Sequence, residues 1–144
     1  MKLGSATGVL LAQLHLARSE AIKRNTRVAL CKSPEGERCT TAGGWEQGWI
    51  VFHDDDNDSE RSDAERIVSR VQALPEGTHL SGNIKVRDYV SFTGLGATQM
   101  TTGAFQAGTF TLCRSSPAPT EARQVVISPV GRPRTTKISV ASCS

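Results

Sequence analysis

LARSEAIKRNTRVALC, residues 16–31, is where one hydrophobic period gives way to another. Up to Asn25 the period is helical. Leu10, Leu14, Ala17 and Ala21 recur at intervals of four, three and four, which lays a narrow apolar stripe along one face. This predicts a helix over 7–25, with Arg18, Lys23 and Arg24 off the stripe. Asn25 and Thr26 weaken the helix, and TRVALC (26–31) opens a long series of strand-like runs. These are GWIVFH (48–53), RIVSRVQAL (66–74), IKVRDYVSF (84–92), GTFTLC (108–113), RQVVIS (123–128) and TKISVAS (136–142). Each is rich in Val, Ile, Phe or Thr and bounded by Gly, Pro or Asp/Asn clusters. One helix followed by about seven short strands predicts an α+β domain, the helix packed on antiparallel sheets. Residues 7–144 are expected to form that domain, β-rich from 26 to 144, with 1–6 a flexible start outside it.

A chain of 144 residues is long enough for a core of its own. Its net charge of +3 excludes little, but the distribution is uneven. DDDNDSERSDAE (54–65) carries seven acids against one arginine. Residues 113–137 carry five basic groups against Glu121, and the segment up to Lys32 carries six against Glu20. A fold that keeps these regions apart makes a polarised molecule. No apolar run approaches the ~20 residues that span a bilayer.

The four cysteines are Cys31, Cys39, Cys113 and Cys143, which allow three pairings. Cys31 and Cys39 flank KSPEGER, a polar turn, and Cys113 and Cys143 each end a strand-like run. The favoured pairs are therefore Cys31–Cys39 and Cys113–Cys143, in an oxidising compartment. Buried reduced thiols are the alternative. There is no C-x2-C pair, and His15, His53 and His79 lie in no zinc-ligand spacing.

Asp54, Asp56 and Asp58 fall on positions one, three and five of a calcium loop, with Glu65 at position twelve. Ser59 stands where the turn needs glycine, Arg61 occupies the usually apolar position eight, and a strand enters the loop. The run therefore reads as a solvated acidic turn, and neither a metal nor a cofactor is expected. No G-x-S-x-G, H-E-x-x-H or paired catalytic carboxylates occur, so an enzyme is not expected. Trp45 and Trp49 read as core, and His79 as an exposed turn residue.

The basic surface remains. SPVGRPRTTK (128–137) places Arg132 and Arg134 around Pro133, just after Gly131. A guanidinium fork matches phosphate with two parallel hydrogen bonds. The glycine permits a tight backbone, and the proline limits loop entropy. Residues two apart in an extended segment point the same way, so the pair suits neighbouring phosphates. Lys137, Arg123 and Arg114 are candidates to widen the patch.

LARSEAIKRNTRVALC, GWEQGWIVFHDDDND, YVSFTGLGA, GTFTLC, ARQVVIS and VGRPR, in that order, resemble the FimT/GspH family of minor type IV pilins and type II secretion pseudopilins. The resemblance runs from Leu14 to Cys143 and is strongest with FimT. It implies a pilin-like fold and a periplasmic setting. It also implies a full-length form held in the inner membrane by a hydrophobic N-terminal helix, with other minor and major pilins as partners. Within the family a G-R-x-R motif marks the branch that binds double-stranded DNA in natural transformation. Gly131, Arg132 and Arg134 match it, which implies phosphate contacts from both arginines, with Lys137 and Arg123 in support. The alternative, from another class, is a structural FimU- or GspH-like subunit that primes or caps a pilus or pseudopilus.

Overall fold

The computed structural model describes residues 3–144. Helix α1 (Leu3–Arg24) buries Leu10, Leu14, Ala17 and Ala21, the stripe expected from their spacing, together with Ala6 and Thr7. It begins ahead of Thr7, because the Thr7 hydroxyl donates back to the Leu3 carbonyl at 2.7 Å and Ala6 still faces the core. Residues 3–6 therefore belong to the domain rather than to a flexible start; residues 1 and 2 of that segment lie outside the described residues. Asn25 ends the helix in the left-handed conformation (φ 51°), and Thr26 N–H closes on the Ala21 carbonyl at 3.1 Å.

Eight strands follow: β1 (Val28–Lys32), β2 (Trp49–His53), β3 (Ile67–Val71), β4 (Thr78–Gly82), β5 (Tyr89–Phe92), β6 (Gly108–Arg114), β7 (Thr120–Ile127) and β8 (Pro133–Val140). They form two antiparallel four-stranded sheets, ordered β3-β2-β1-β5 and β4-β6-β7-β8. The helix packs on both, and Leu10, Leu14 and Ala17 share one cluster with Leu30 and Val51 of the first sheet and Phe110 and Val125 of the second. Trp45 and Trp49 are fully buried, and Trp45 meets both Trp49 and Phe110 edge-on with centroids 6.2 and 5.3 Å apart. Neither indole is a stacking platform.

Three strand expectations change. β4 lies where no strand was expected, and His79, read as an exposed turn residue, sits within it, half-buried, with Nε2 2.7 Å from Ser115 Oγ. The run 84–92 is not one strand: Ile84–Val86 forms a 3-10 turn, and pairing begins at Tyr89. β8 starts at Pro133 rather than Thr136, which brings Arg134 into the sheet.

Both cysteine pairs form as expected, Cys31–Cys39 with Cα atoms 5.5 Å apart and Cys113–Cys143 with 6.2 Å. Lys32 is buried, and its Nζ is satisfied by the Thr41 and Gly43 carbonyls (3.2 and 2.8 Å) and by Asp88 (3.0 Å). Among the described residues no helix is long and apolar enough to cross a membrane.

Candidate nucleic-acid interface

The β7–β8 hairpin turns on Ser128-Pro129-Val130-Gly131, closed by Gly131 N–H donating to the Ser128 carbonyl at 2.9 Å. Ser at the first position, Pro at the second and Gly at the fourth match the preferences of a type I turn. Gly131 has φ 81°, and a Cβ there would lie 2.0 Å from the Gly96 carbonyl oxygen. The turn is thus seated against the 93–98 loop. Thr98 N–H donates to the Pro129 carbonyl at 3.0 Å, and Thr98 Oγ1 lies 2.9 Å from the Ser128 carbonyl.

Helix α1 completes the seat. Arg18 Nε donates to the Gly96 carbonyl at 3.0 Å, which leaves the terminal nitrogens of its guanidinium for other partners. His15, Arg18, Gly131, Arg132 and Pro133 line a cleft of about 290 Å³ between helix and turn. A second, of about 540 Å³, adjoins it through the shared His15 and Arg18 and extends to Lys23. No carboxylate lines either cleft. Arg132 and Arg134 are both exposed, and among the described residues neither forms an ion pair. Arg18 and Arg132 set two cations on a concavity lined by no carboxylate, which suits it to an anion, while Arg134 lies outside its lining.

The structure gathers some of the expected residues and separates others. Gly131 and Arg132 line the cleft beside Arg18, whereas Arg134 follows in β8 and lines neither cleft. Arg123 and Lys137 face each other across β7 and β8, four residue pairs from Ile127 and Pro133, roughly 13 Å along the strands. Arg123 is also engaged, its Nε 2.8 Å from Glu121. That guanidinium holds the Glu121 carboxyl below the usual carboxylate range. Lys137 is three residues from Arg134 on one strand, so the two project from opposite faces. Arg114 lies with Arg123 beside the first turn of α1, away from the motif. The residue that reading by sequence left out is Arg18. Its only sequence signal was its position off the apolar stripe.

The Cys113–Cys143 bridge does not fix the arginines. Cys113 pairs in register with Ala122 and Val140 with Thr120, so the bridge closes the end of the hairpin opposite the turn. The acidic run also departs from expectation, because Asp54 and Glu65 are buried rather than solvated.

The family model described as type II transport protein GspH matches residues 6–131. The chain belongs to this family. Two crystal structures of the type IV minor pilin FimU from Pseudomonas aeruginosa strain PAO1 share the fold of this GspH-family chain. In space group P21 the TM-score is 0.69 at 19% identity, covering 99% of this chain and 95% of that one. In space group P65 it is 0.63 at 18% identity, covering 99% and 100%. No curated protein matches the sequence. Family and fold agree: the chain is a GspH-family domain with the fold seen in the minor pilin FimU.

Proposed function

We propose that this GspH-family domain binds double-stranded DNA through Arg132 and Arg134, without sequence preference, and serves DNA uptake by a type IV pilus. The observation that carries this reading is exposed Arg132 directly after a turn seated against Gly96, with exposed Arg134 two residues on in β8 and neither in an ion pair among the described residues. Arg18 and Lys23 extend the positive surface along the helix in place of Arg123 and Lys137. Phosphate contacts of this kind position a duplex and carry no base information. The activity is binding, not catalysis. The disulfides support an oxidising location, on the periplasmic side of the inner membrane or in the filament.

The test is a titration with labelled duplex at two salt concentrations, wild type beside Arg132→Ala/Arg134→Ala. Wild type should bind at low salt, and the double variant at least about tenfold more weakly. Its dependence of log K on log salt should flatten by about two. Absence of wild-type binding at low salt, or equal binding by the variant, rejects the proposal.

A second reading, a structural subunit that primes or caps assembly, is favoured by apolar residues around the same seat. Ile22, Leu95 and Val130 are exposed by 45%, 89% and 63%. Under this reading the groove receives a neighbouring pilin, and co-purification with other minor pilins survives loss of the arginines.

A further inference from the structure

The β2–β3 loop gathers four carboxylates. One oxygen each from Asp54, Asp56, Asp58 and Glu65 falls in a group whose members lie within 4.8 Å of one another. Oxygens on opposite sides of a calcium ion, each 2.3–2.6 Å from it, are about 5 Å apart. The cluster thus has the span of one coordination shell. Among the described residues none of the four pairs with a lysine, arginine or histidine.

A second observation points to a ligand. Glu65 is 3% exposed; Ser62 N–H reaches its Oε1 at 2.9 Å, but its Oε2 is buried without a hydrogen-bond partner. An ionised oxygen withdrawn from water and left unpaired is costly, and a cation at the cluster removes that cost. Asp54 is fully buried, and it accepts the Asp58 and Ser59 N–H groups at 3.2 and 2.8 Å.

Two of the three sequence features that spoke against a cation lose their force in the fold, while the third stands, since strand β2 leads into the loop. Ser59, where a glycine is usual, adopts φ 59°, the left-handed turn that position requires. Arg61 turns away from the carboxylates: its Nε donates to the Glu65 carbonyl at 2.9 Å and its Nη1 pairs with Glu37 at 3.1 Å.

We infer that the β2–β3 loop is a calcium site, with Asp54, Asp56, Asp58 and Glu65 as its side-chain ligands. An all-oxygen set supplied by the protein suits calcium better than magnesium, which keeps several waters. The lack of histidine or thiolate in the cluster excludes a zinc preference.

The test uses the domain freed of metal with a chelator, titrated with calcium or magnesium chloride by calorimetry and followed by thermal melts. Asp58→Asn serves as the variant because Asp58 is exposed and its loss leaves the core intact. Wild type should bind one calcium per chain, with magnesium at least roughly tenfold weaker. Its Tm should rise by roughly 3–8 °C at a tenfold excess over Kd. Asp58→Asn should keep its metal-free Tm and lose most of the calcium response. Absence of calcium heat and of any Tm shift overturns the proposal, as does equal binding of the two metals or an unchanged response in Asp58→Asn.

Discussion

At Gly131 one methyl group decides the position of the turn. Alanine there meets two penalties: a left-handed backbone that costs roughly 1–3 kcal/mol, and a Cβ 2.0 Å from the Gly96 oxygen. Gly131→Ala should therefore lower stability by about that amount and weaken duplex binding although every charge remains. Chemical denaturation and the duplex titration read the two effects; unchanged affinity would show that the turn's seat does not matter. Arg18 offers the complementary case, a charge fixed from outside the motif. Arg18→Gln should cost binding about as much as either motif arginine alone, and flatten the salt dependence by about one. An Arg18→Gln curve that overlays wild type at both salt concentrations removes Arg18 from the interface.

Among the elements, the β7–β8 hairpin is held at its two ends by different means. The turn is seated by hydrogen bonds and close packing, the open end by a disulfide between residues 30 apart in sequence. Cys113→Ala/Cys143→Ala should reduce unfolding free energy by roughly 2–4 kcal/mol, and leave affinity for duplex at low temperature within about twofold. Melting curves and titrations of the same preparation check both halves. Local patterns carried much of this architecture into the sequence. Leu10, Leu14, Ala17 and Ala21 mark the buried helix face directly, and Cys31 and Cys113 sit near the ends of β1 and β6, within reach of partners in the segments beyond. Thr78–Gly82 was not legible, since THLSG has one large aliphatic residue, and pairing with β6 rather than propensity makes it a strand. Arg18 in the groove was equally hidden, because its contact with Gly96 spans 78 positions of chain. The acidic run was legible as a ligand pattern but not as a buried one: Asp54 is drawn inward by Asp54 N–H bonding to the Arg27 carbonyl at 3.0 Å.

For the whole molecule, opposite charges are sorted around the end of α1. Arg18 faces the 93–98 loop, while Glu20 lies 3.2 Å from His53, next to the acidic β2–β3 loop. Residues two apart on a helix are about 200° apart around its axis, so the two sides are kept separate. A duplex approaching the basic side therefore meets little local repulsion, and attraction should weaken steeply with salt. With about four phosphates neutralised, affinity should fall roughly 10²-fold between about 50 and 200 mM salt. A nearly flat dependence would mean that Arg18, Lys23, Arg132 and Arg134 do not act together. β8 is the last strand of its sheet, and it carries Pro133, Arg134 and Lys137 along a row of backbone groups with no further strand beside it among the described residues. Proline and charge on such a margin discourage another chain from adding a strand and seeding aggregation. The charge of Arg134 on this margin therefore guards against edge-to-edge association, and variants that remove it should aggregate at lower concentrations than those that remove Arg132.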